Sequence, residues 1–340
     1  MQQEPAPPAK ESVRAQLAQA QRKNGLSLVL VAEPRDDPES KSDPVLIVAP
    51  ADRSMHRWNR AFQLPDSADV SGGALTADGN VAALELDLPK GQLFGIFQRR
   101  KSKFRQLKAT IPSWPYFVCW SNDNSKLTVL GDGNLQVLDP VSGLILESGP
   151  SATDLTSQCM SPDDRRLVYE LNDEILVYDF EQHKSRRLAH GTGATWSPAG
   201  EWIAFRSNDT YYGVRPSGEG QKVLFKCEKD LPNLLSPLWW SPDSRVVAYV
   251  GPLRQGEGLP LYALRLRVRR LEDDSEDWVA EIIGATPPGF QWITNNDLRQ
   301  DAGPAQAHDS NQHAAAARLW NVERDGVSYA AAGPVYFNIQ

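Results

Sequence analysis

Few residues of this chain combine the type and the spacing that metal binding or catalysis requires. His308 and His313 flank Asp309, and all three side chains could ligate a metal ion. Their spacing matches neither the i, i+4 pattern of a helix face nor the i, i+2 pattern of a strand. Asp132-Gly133-Asn134 resembles part of a calcium-binding loop but lacks the glutamate that closes such a loop. We therefore expect no metal, no other cofactor and no catalytic residue, and we expect residues 132–134 to form a hairpin turn.

The most regular chemical feature is a cassette built around a serine and an aspartate. Its copies are Cys119–Asp123, Cys159–Asp163, Thr195–Ala199 and Trp239–Asp243, with a degenerate copy at Ala74–Asp78. Serine and aspartate hydrogen-bond the local backbone and proline presets φ, so each cassette should close a hairpin after an innermost strand. The residue before each serine is large in the four clear copies, and we expect it to be buried between neighbouring sheets. These residues are Trp120, Met160, Trp196 and Trp240.

The strands around the cassettes recur at a nearly regular interval of about 40 residues, which is typical of a β-propeller. The third strand of each repeat is the clearest marker. It appears at residues 45–49, 93–97, 135–139, 175–179, 211–215, 261–265 and 318–322. We therefore predict an all-β, seven-bladed β-propeller of four-stranded blades over residues 26–340. Residues 1–25 form a polar extension with a possible short helix at 11–23.

The two ends of the chain suggest how the ring could close. The first repeat has three strands and no cassette before them, whereas Pro334–Gln340 is a strand with no repeat of its own. We predict that this tail supplies the missing inner strand of the first blade, so that no sheet edge stays open. Phe290–Thr294 is then the inner strand of the last blade. Asn295–Ala317 offers no convincing second strand, and six blades is the alternative if it forms no sheet.

The three cysteines form no CxxC pair and no disulfide framework. Cys119 and Cys159 occupy the same cassette position in neighbouring repeats. A disulfide would need their Cα atoms within about 7 Å. Because neighbouring inner strands of a ring usually lie further apart, we expect both to be small buried hydrophobic residues.

The recurring Trp-Ser-Pro-Asp resembles the WSPDG repeat of the TolB-like branch of WD40-like β-propellers, over residues 75–290. The glycine that closes the motif is present at Gly79 and Gly200, and Asn124, Asp164 and Ser244 stand at the other copies. TolB itself carries an α/β domain ahead of its propeller, whereas about 25 residues precede the ring here. Prolyl-oligopeptidase-like hydrolases share the repeat but need a GxSxG motif, which this sequence lacks.

Charge and hydropathy restrict the partners. A net charge of −7 argues against a nucleic-acid binder, because phosphate neutralisation needs a basic surface. No run of about 18 apolar residues could span a membrane. The first residues lack the pattern of a signal peptide. Two localisations remain open: the cytoplasm, or the bacterial periplasm if Met1 replaces a cleaved signal peptide.

Two apolar, proline-containing loops should lie on the loop-rich face of the ring, at residues 111–116 and 231–237. We predict that Trp114, Tyr116, Leu234 and Leu235 contact a protein or peptide partner, because aromatic anchors favour partner binding. Alternatively, Trp114 and Tyr116 plug the mouth of the channel. The predicted function is a monomeric, non-catalytic scaffold. The rivals are an enzyme or small-ligand receptor that uses the channel, and a structural part of an envelope or secretion assembly.

Overall fold

The computed structural model describes residues 26–32, 45–50, 59–63, 69–88, 90–98, 103–106, 115–227, 237–252, 263–283, 290–294, 322–324 and 327–331. These segments form β-strands arranged in six sheets, and no helix occurs among them. This part of the chain accordingly holds no helix that could traverse a bilayer. The predicted N-terminal extension, residues 1–25, lies outside the described residues.

The first two sheets are built from N-terminal strands, and the first of them also contains one strand from much later in the chain. The first sheet consists of β1 (Leu26–Ala32), β2 (Val45–Pro50), β3 (Asn59–Gln63) and β23 (Phe290–Thr294), in the order β23-β1-β2-β3. The second consists of β4 (Asp69–Leu75), β5 (Val81–Leu88), β6 (Gly91–Gln98) and β7 (Lys103–Gln106), in chain order.

The other four sheets follow one another along the chain. The third sheet contains β8 (Pro115–Trp120), β9 (Leu127–Gly131), β10 (Asn134–Leu138) and β11 (Ile145–Ser151). The fourth contains β12 (Arg166–Leu171), β13 (Glu174–Asp179) and β14 (Lys184–His190). The fifth contains β15 (Thr192–Trp196), β16 (Ile203–Ser207), β17 (Thr210–Val214) and β18 (Lys222–Lys226). The sixth contains β19 (Trp239–Trp240), β20 (Val246–Pro252), β21 (Ala263–Arg270) and β22 (Glu276–Ile283), and it is extended by β25 (Val327–Ala331) and β24 (Val322–Arg324).

Strands that follow one another within a sheet pair antiparallel, as short turns require. The residues 132–134 form the predicted hairpin turn between β9 and β10, with φ of 49° at Asp132 and 74° at Gly133. At the outer edge of the sixth sheet, β25 pairs with β22 in parallel, with Ile282 opposite Ala330. We use the term inner strand for β23, β4, β8, β15 and β19 in the first, second, third, fifth and sixth sheets. In the fourth sheet the chain over residues 154–160 takes this place, because Asp154 and Met160 form bridges with Glu170 and Leu167 of β12.

The cassettes form the predicted turns, and the four copies that carry an aspartate make the same side-chain bonds. The copy with Ala199 keeps the bond from the Trp202 N–H to Ser197 Oγ. Ser121 Oγ donates to Asp123 Oδ1 at 2.7 Å and accepts a hydrogen bond from the Lys126 N–H at 2.8 Å. The fourth residue of the turn has a left-handed backbone, which explains why the repeat favours glycine there. The residues at this position, with their φ values, are Gly79 (67°), Asn124 (59°), Asp164 (54°), Gly200 (77°) and Ser244 (57°).

The large residues before the cassette serines are buried, as predicted. Trp120, Trp196 and Trp240 are 8%, 2% and 1% exposed, and Met160 is 7% exposed. Trp120 also lies between two sheets, because its Nε1 donates to the carbonyl of Ala74 in the preceding sheet at 2.9 Å. These side chains therefore join the cores of neighbouring sheets, as the predicted ring requires.

The prediction for the C-terminal tail is wrong. The strand that completes the first sheet is β23, with Leu28 opposite Trp292 and Leu30 opposite Phe290. The other side of β1 pairs with β2, so no edge of β1 remains for Pro334–Gln340. The tail itself lies outside the described residues. The sequence pattern identified β23 as an inner strand but assigned it to the wrong sheet, because periodicity does not reveal which distant strand a segment pairs with.

The predicted seventh blade has no sheet of its own in the described part of the chain. Its proposed inner strand, Phe290–Thr294, belongs to the first sheet, and its proposed third strand, residues 318–322, is described only at Val322 in β24. Asn295–Ala317 lies outside the described residues. The described strands thus form six sheets, the number named as the alternative.

Candidate functional site

The predicted partner-binding residues fall mostly outside the described part of the chain. Trp114, Leu234 and Leu235 are not described, and neither are His308, Asp309 and His313. Tyr116 lies in β8, so the predicted loop over 111–116 ends within the inner strand of the third sheet. The described residues contain no cluster of three or more His, Cys, Asp or Glu side chains placed to hold a metal ion.

The inner strand of the fourth sheet is interrupted by an insertion that the sequence did not reveal. Near Cys159 the chain pairs with β12, because the Val168 N–H donates to the Cys159 carbonyl at 2.8 Å. Pairing resumes where the Glu170 N–H donates to the Asp154 carbonyl at 3.1 Å. Between these points β12 has one residue and the opposing chain has four, Leu155–Gln158. We call these four residues the inner bulge.

The inner bulge binds the inner strands of the two following sheets. Thr156 Oγ1 donates to the carbonyl of Ala194 at 2.6 Å, and the Trp196 N–H donates to the carbonyl of Gln158 at 2.7 Å. The side-chain amide of Gln158 then reaches past the fifth sheet to the sixth. It donates to the carbonyl of Trp240 at 2.9 Å and accepts from the Trp240 N–H at 2.7 Å. One glutamine thus joins inner strands that are 82 residues apart in the sequence.

The inner bulge is joined covalently to the third sheet at its C-terminal end, where the prediction for the cysteines is wrong. Cys119 and Cys159 form a disulfide with a Cα–Cα distance of 6.3 Å. Both are fully buried, as predicted, but their inner strands lie closer than expected for neighbouring blades. The inner bulge lies directly before Cys159, so the departure from regular strand pairing and the disulfide are adjacent in the chain. Cys227 is the free cysteine, and burial raises the pKa of its thiol to about 11.

Two carboxyl groups, the half-buried Asp154 and the buried Glu170, lie at the N-terminal end of the inner bulge. Asp154 Oδ1 accepts from the Leu155 N–H at 2.5 Å, and Glu170 Oε1 accepts from the Ala194 N–H at 3.0 Å. Burial raises the pKa of both groups, and the charge of Asp154 raises that of Glu170 further. The pair can therefore hold a proton where ordinary carboxylates are ionised. In the second sheet, Glu85 lies at the same distance after its cassette as Glu170 does, and it is also buried.

A second polar cluster lies between the fifth and sixth sheets. Glu276 accepts hydrogen bonds from Tyr249, from Arg267 at 2.6 Å and from Arg269 at 3.1 Å. The Arg269 guanidinium also lies 4.9 Å from the centre of the Phe225 ring. Burial and the charge of Glu276 raise the pKa of Tyr249. Since the three donors satisfy a single carboxylate, this cluster reads as packing between sheets rather than as a reactive site.

The three most exposed of the large aliphatic side chains in the described part of the chain lie at the turn between β10 and β11 or at the start of β11. Val141, Leu144 and Leu146 are 72%, 66% and 54% exposed. Asp139 caps this turn: its side chain accepts from the Val141 N–H at 2.7 Å and from Ser142 Oγ at 2.6 Å. Sequence reasoning missed this patch, although its Val and Leu residues on a turn are a visible signal.

The comparisons with known proteins identify the fold. No family model matches this chain, and no curated protein sequence does. Among solved structures, TolB from Acinetobacter baumannii superposes with a TM-score of 0.57 at 16% identity, over 79% of this chain and 66% of that one. In its fold, this chain resembles the TolB-like β-propellers. It spans less than two thirds of that TolB.

Two further structures agree on the fold. A TolB-like protein described as putative TolB from Agrobacterium tumefaciens has a TM-score of 0.54 at 15% identity, over 76% of this chain and 89% of that one. A chain from a nidogen/laminin complex has a TM-score of 0.54 at 10% identity, over 79% of this chain and 98% of that one. At these identities the likeness concerns architecture alone.

Proposed function

We propose that this protein is a non-catalytic, monomeric scaffold that binds a protein or peptide partner on the loop-rich face of a six-bladed propeller. In this proposal the ring closes at the first sheet, and the pairing of β23 with β1, strands from distant parts of the chain, supports such a closure. Such closure manages the open edges that separate sheets would leave. The observation that carries the proposal is the position of the inner bulge.

In a closed ring, the inner strands surround the central channel. Gln158 belongs to the fourth sheet and bonds the inner strand of the sixth, which places its side chain on the channel side of the inner strands. Thr156, which bonds the Ala194 carbonyl, and Leu155 belong to the same segment, and both are buried. An enzyme or small-ligand receptor that used the channel would need this space for its ligand. The inner bulge therefore favours the scaffold over the channel-based rival.

The loop-rich face remains the best candidate for the partner. The segments that contain Trp114 and Leu235 lead into β8 and β19, the inner strands of the third and sixth sheets. Loops that lead into inner strands gather at one face of a propeller, and aromatic side chains there make strong anchors. Two of the similar structures support such a role in a general way, since one is named TolB and one comes from a complex of two proteins.

The disulfide supports an extracytoplasmic location, and we propose the periplasm. Cys119 and Cys159 are bonded in the core, and structural disulfides persist mainly in oxidising compartments. The resemblance to TolB points to the same compartment. Fractionation of the native host tests this directly: we expect the protein in the periplasmic fraction.

Affinity capture from native lysate, followed by mass spectrometry, tests the function. We expect the wild-type protein to retain a specific protein, and Trp114→Ala to weaken that capture about tenfold or more while the thermal unfolding of the ring is unchanged. The matched control is Leu146→Ala, which removes an exposed aliphatic side chain from the outer strand β11. Equal capture by Trp114→Ala and wild type, or a loss confined to Leu146→Ala, would show that the partner does not bind the loop-rich face.

A further inference from the structure

The inner bulge is fixed at its two ends by different chemistry. At its C-terminal end, Cys159 is bonded to Cys119 of the third sheet. At its N-terminal end, Asp154 lies next to Glu170, and the two residues also share backbone hydrogen bonds. One end is therefore covalent, whereas the other depends on the ionisation of two acids.

The surroundings of the acid pair favour protonation. Asp154 receives one hydrogen bond, from the Leu155 N–H. Glu170 receives bonds from the backbone of Gly193 and Ala194, which lie in β15. The further charged group that acts on the pair is Asp173, at the turn after β12, and its negative charge also disfavours ionisation of Glu170. Two negative charges in this buried place would repel each other at short range.

Ionisation of the pair acts on the bonds of the inner bulge. Glu170 accepts a hydrogen bond from the Ala194 N–H, and Thr156 donates one to the Ala194 carbonyl. Both backbone groups of Ala194 are therefore bonded by the bulge and its acid pair. If Asp154 and Glu170 move apart, the bulge loses its N-terminal attachment. Its bonds to Trp196 and Trp240 then compete with solvent.

We propose that the inner bulge is a pH-controlled plug. With a proton on the Asp154–Glu170 pair, Leu155–Gln158 stays seated against the fifth and sixth sheets; loss of that proton releases its N-terminal end, while the disulfide keeps its C-terminal end in place. The seated state binds the proton more tightly than the open state, where the carboxyl groups regain ordinary affinity. The seated state is therefore favoured at acidic pH, and its advantage falls as the pH rises through neutrality.

Hydrogen exchange on the full-length protein tests the plug. The reporters are the amides of Trp196 and Trp240, which donate to Gln158. After correction for intrinsic exchange rates, we expect their protection to fall about tenfold or more between pH 5 and pH 8. The Ser161 amide, which bonds Arg166 within the cassette turn, serves as an internal reference and should keep its protection.

Three variants make the test specific. Glu170→Gln keeps an oxygen for the Ala194 N–H but cannot ionise, so the protection of both reporters should be high and the same at both pH values. Glu181→Gln, which changes an exposed carboxylate of the same sheet, should behave as wild type. Gln158→Ala should lose the protection of Trp240 at both pH values and does not alter the acid pair.

Two results would overturn the proposal. One is constant protection of Trp196 and Trp240 from pH 5 to pH 8 in the wild type. The other is the same pH-dependent fall in Glu170→Gln; if that variant does not fold, Asp154→Asn is measured in its place and judged by the same criterion. Neither result depends on whether a protein partner is captured, so failure here is distinguishable from failure of the scaffold function.

Discussion

At the scale of single residues, the cassette turns do more than close hairpins. Asp164 stands where the repeat usually has glycine, and its carboxylate accepts hydrogen bonds from the neighbouring cassette of the third sheet. The donors are the Asn122 N–H and side-chain amide, both at 2.8 Å, and the Asp123 N–H at 3.2 Å. A departure from the motif thus becomes a bridge between two sheets.

This bridge can be measured by comparing glycine substitutions at equivalent positions. Asp164 and Asn124 both have left-handed backbones, with φ of 54° and 59°, so glycine relieves the same strain at each. Only Asp164→Gly also removes the bonds to Asn122 and Asp123. We expect its free energy of unfolding to lie about 1 kcal/mol or more below that of Asn124→Gly in urea denaturation. Equal values for the two variants would show that the bridge contributes nothing.

Local chemistry is the part of this molecule that the sequence predicts well. In the cassettes the hydroxyl residue, and the aspartate where one is present, bond atoms within five residues, and a hairpin turn such as 132–134 depends on its own φ values. Burial of Trp120, Trp196 and Trp240 follows from their repeated position. The bridge from Asp164 was not foreseen, because its partner lies 42 residues away.

At the scale of elements, the inner bulge and the disulfide are neighbours in the chain, because the bulge ends directly before Cys159. Four residues face one across the start of the fourth sheet, and the same region brings Cys159 within 6.3 Å of Cys119. The sequence could suggest neither feature alone. The identical cassette positions of the cysteines were visible, but their distance depends on an insertion that carries no turn signal of its own.

The disulfide gives a simple prediction for the purified protein. Under denaturing, non-reducing conditions we expect one reactive thiol per chain, that of Cys227, and none in Cys227→Ser. Because the bond joins residues 40 positions apart, the Cys119→Ala/Cys159→Ala variant should lose about 4 kcal/mol of unfolding free energy. Three reactive thiols in the wild type would contradict the bond.

At the scale of the whole molecule, the sequence predicts the kind of fold better than it predicts the number of blades. The interval between cassettes indicates a propeller, and the resemblance to TolB-like propellers is confirmed by the solved structures. The blade count fails where it depends on pairing between distant strands. Phe290–Thr294 has the pattern of an inner strand wherever it lies, and only the register with Leu26–Ala32 shows that it completes the first sheet.

The same pairing is the basis of the functional account, because the loop face and the plugged channel both presuppose a ring closed by β1 and β23. Ser27 and Ile293 are cross-strand partners, and such partners have Cα atoms close enough for a disulfide. A cysteine pair at these positions should therefore link the ends of the ring. The alternative closure by the C-terminal tail can be tested with a cysteine at Tyr336.

The decisive measurement is disulfide formation in two double-cysteine variants, both in the Cys227→Ser background. We predict that Ser27→Cys/Ile293→Cys forms an intramolecular bond under mild oxidation, found as a linked peptide pair in a non-reducing digest. Ser27→Cys/Tyr336→Cys should leave both thiols free. A linked pair in the second variant and none in the first would contradict the six-bladed ring, and with it the proposed face and plug.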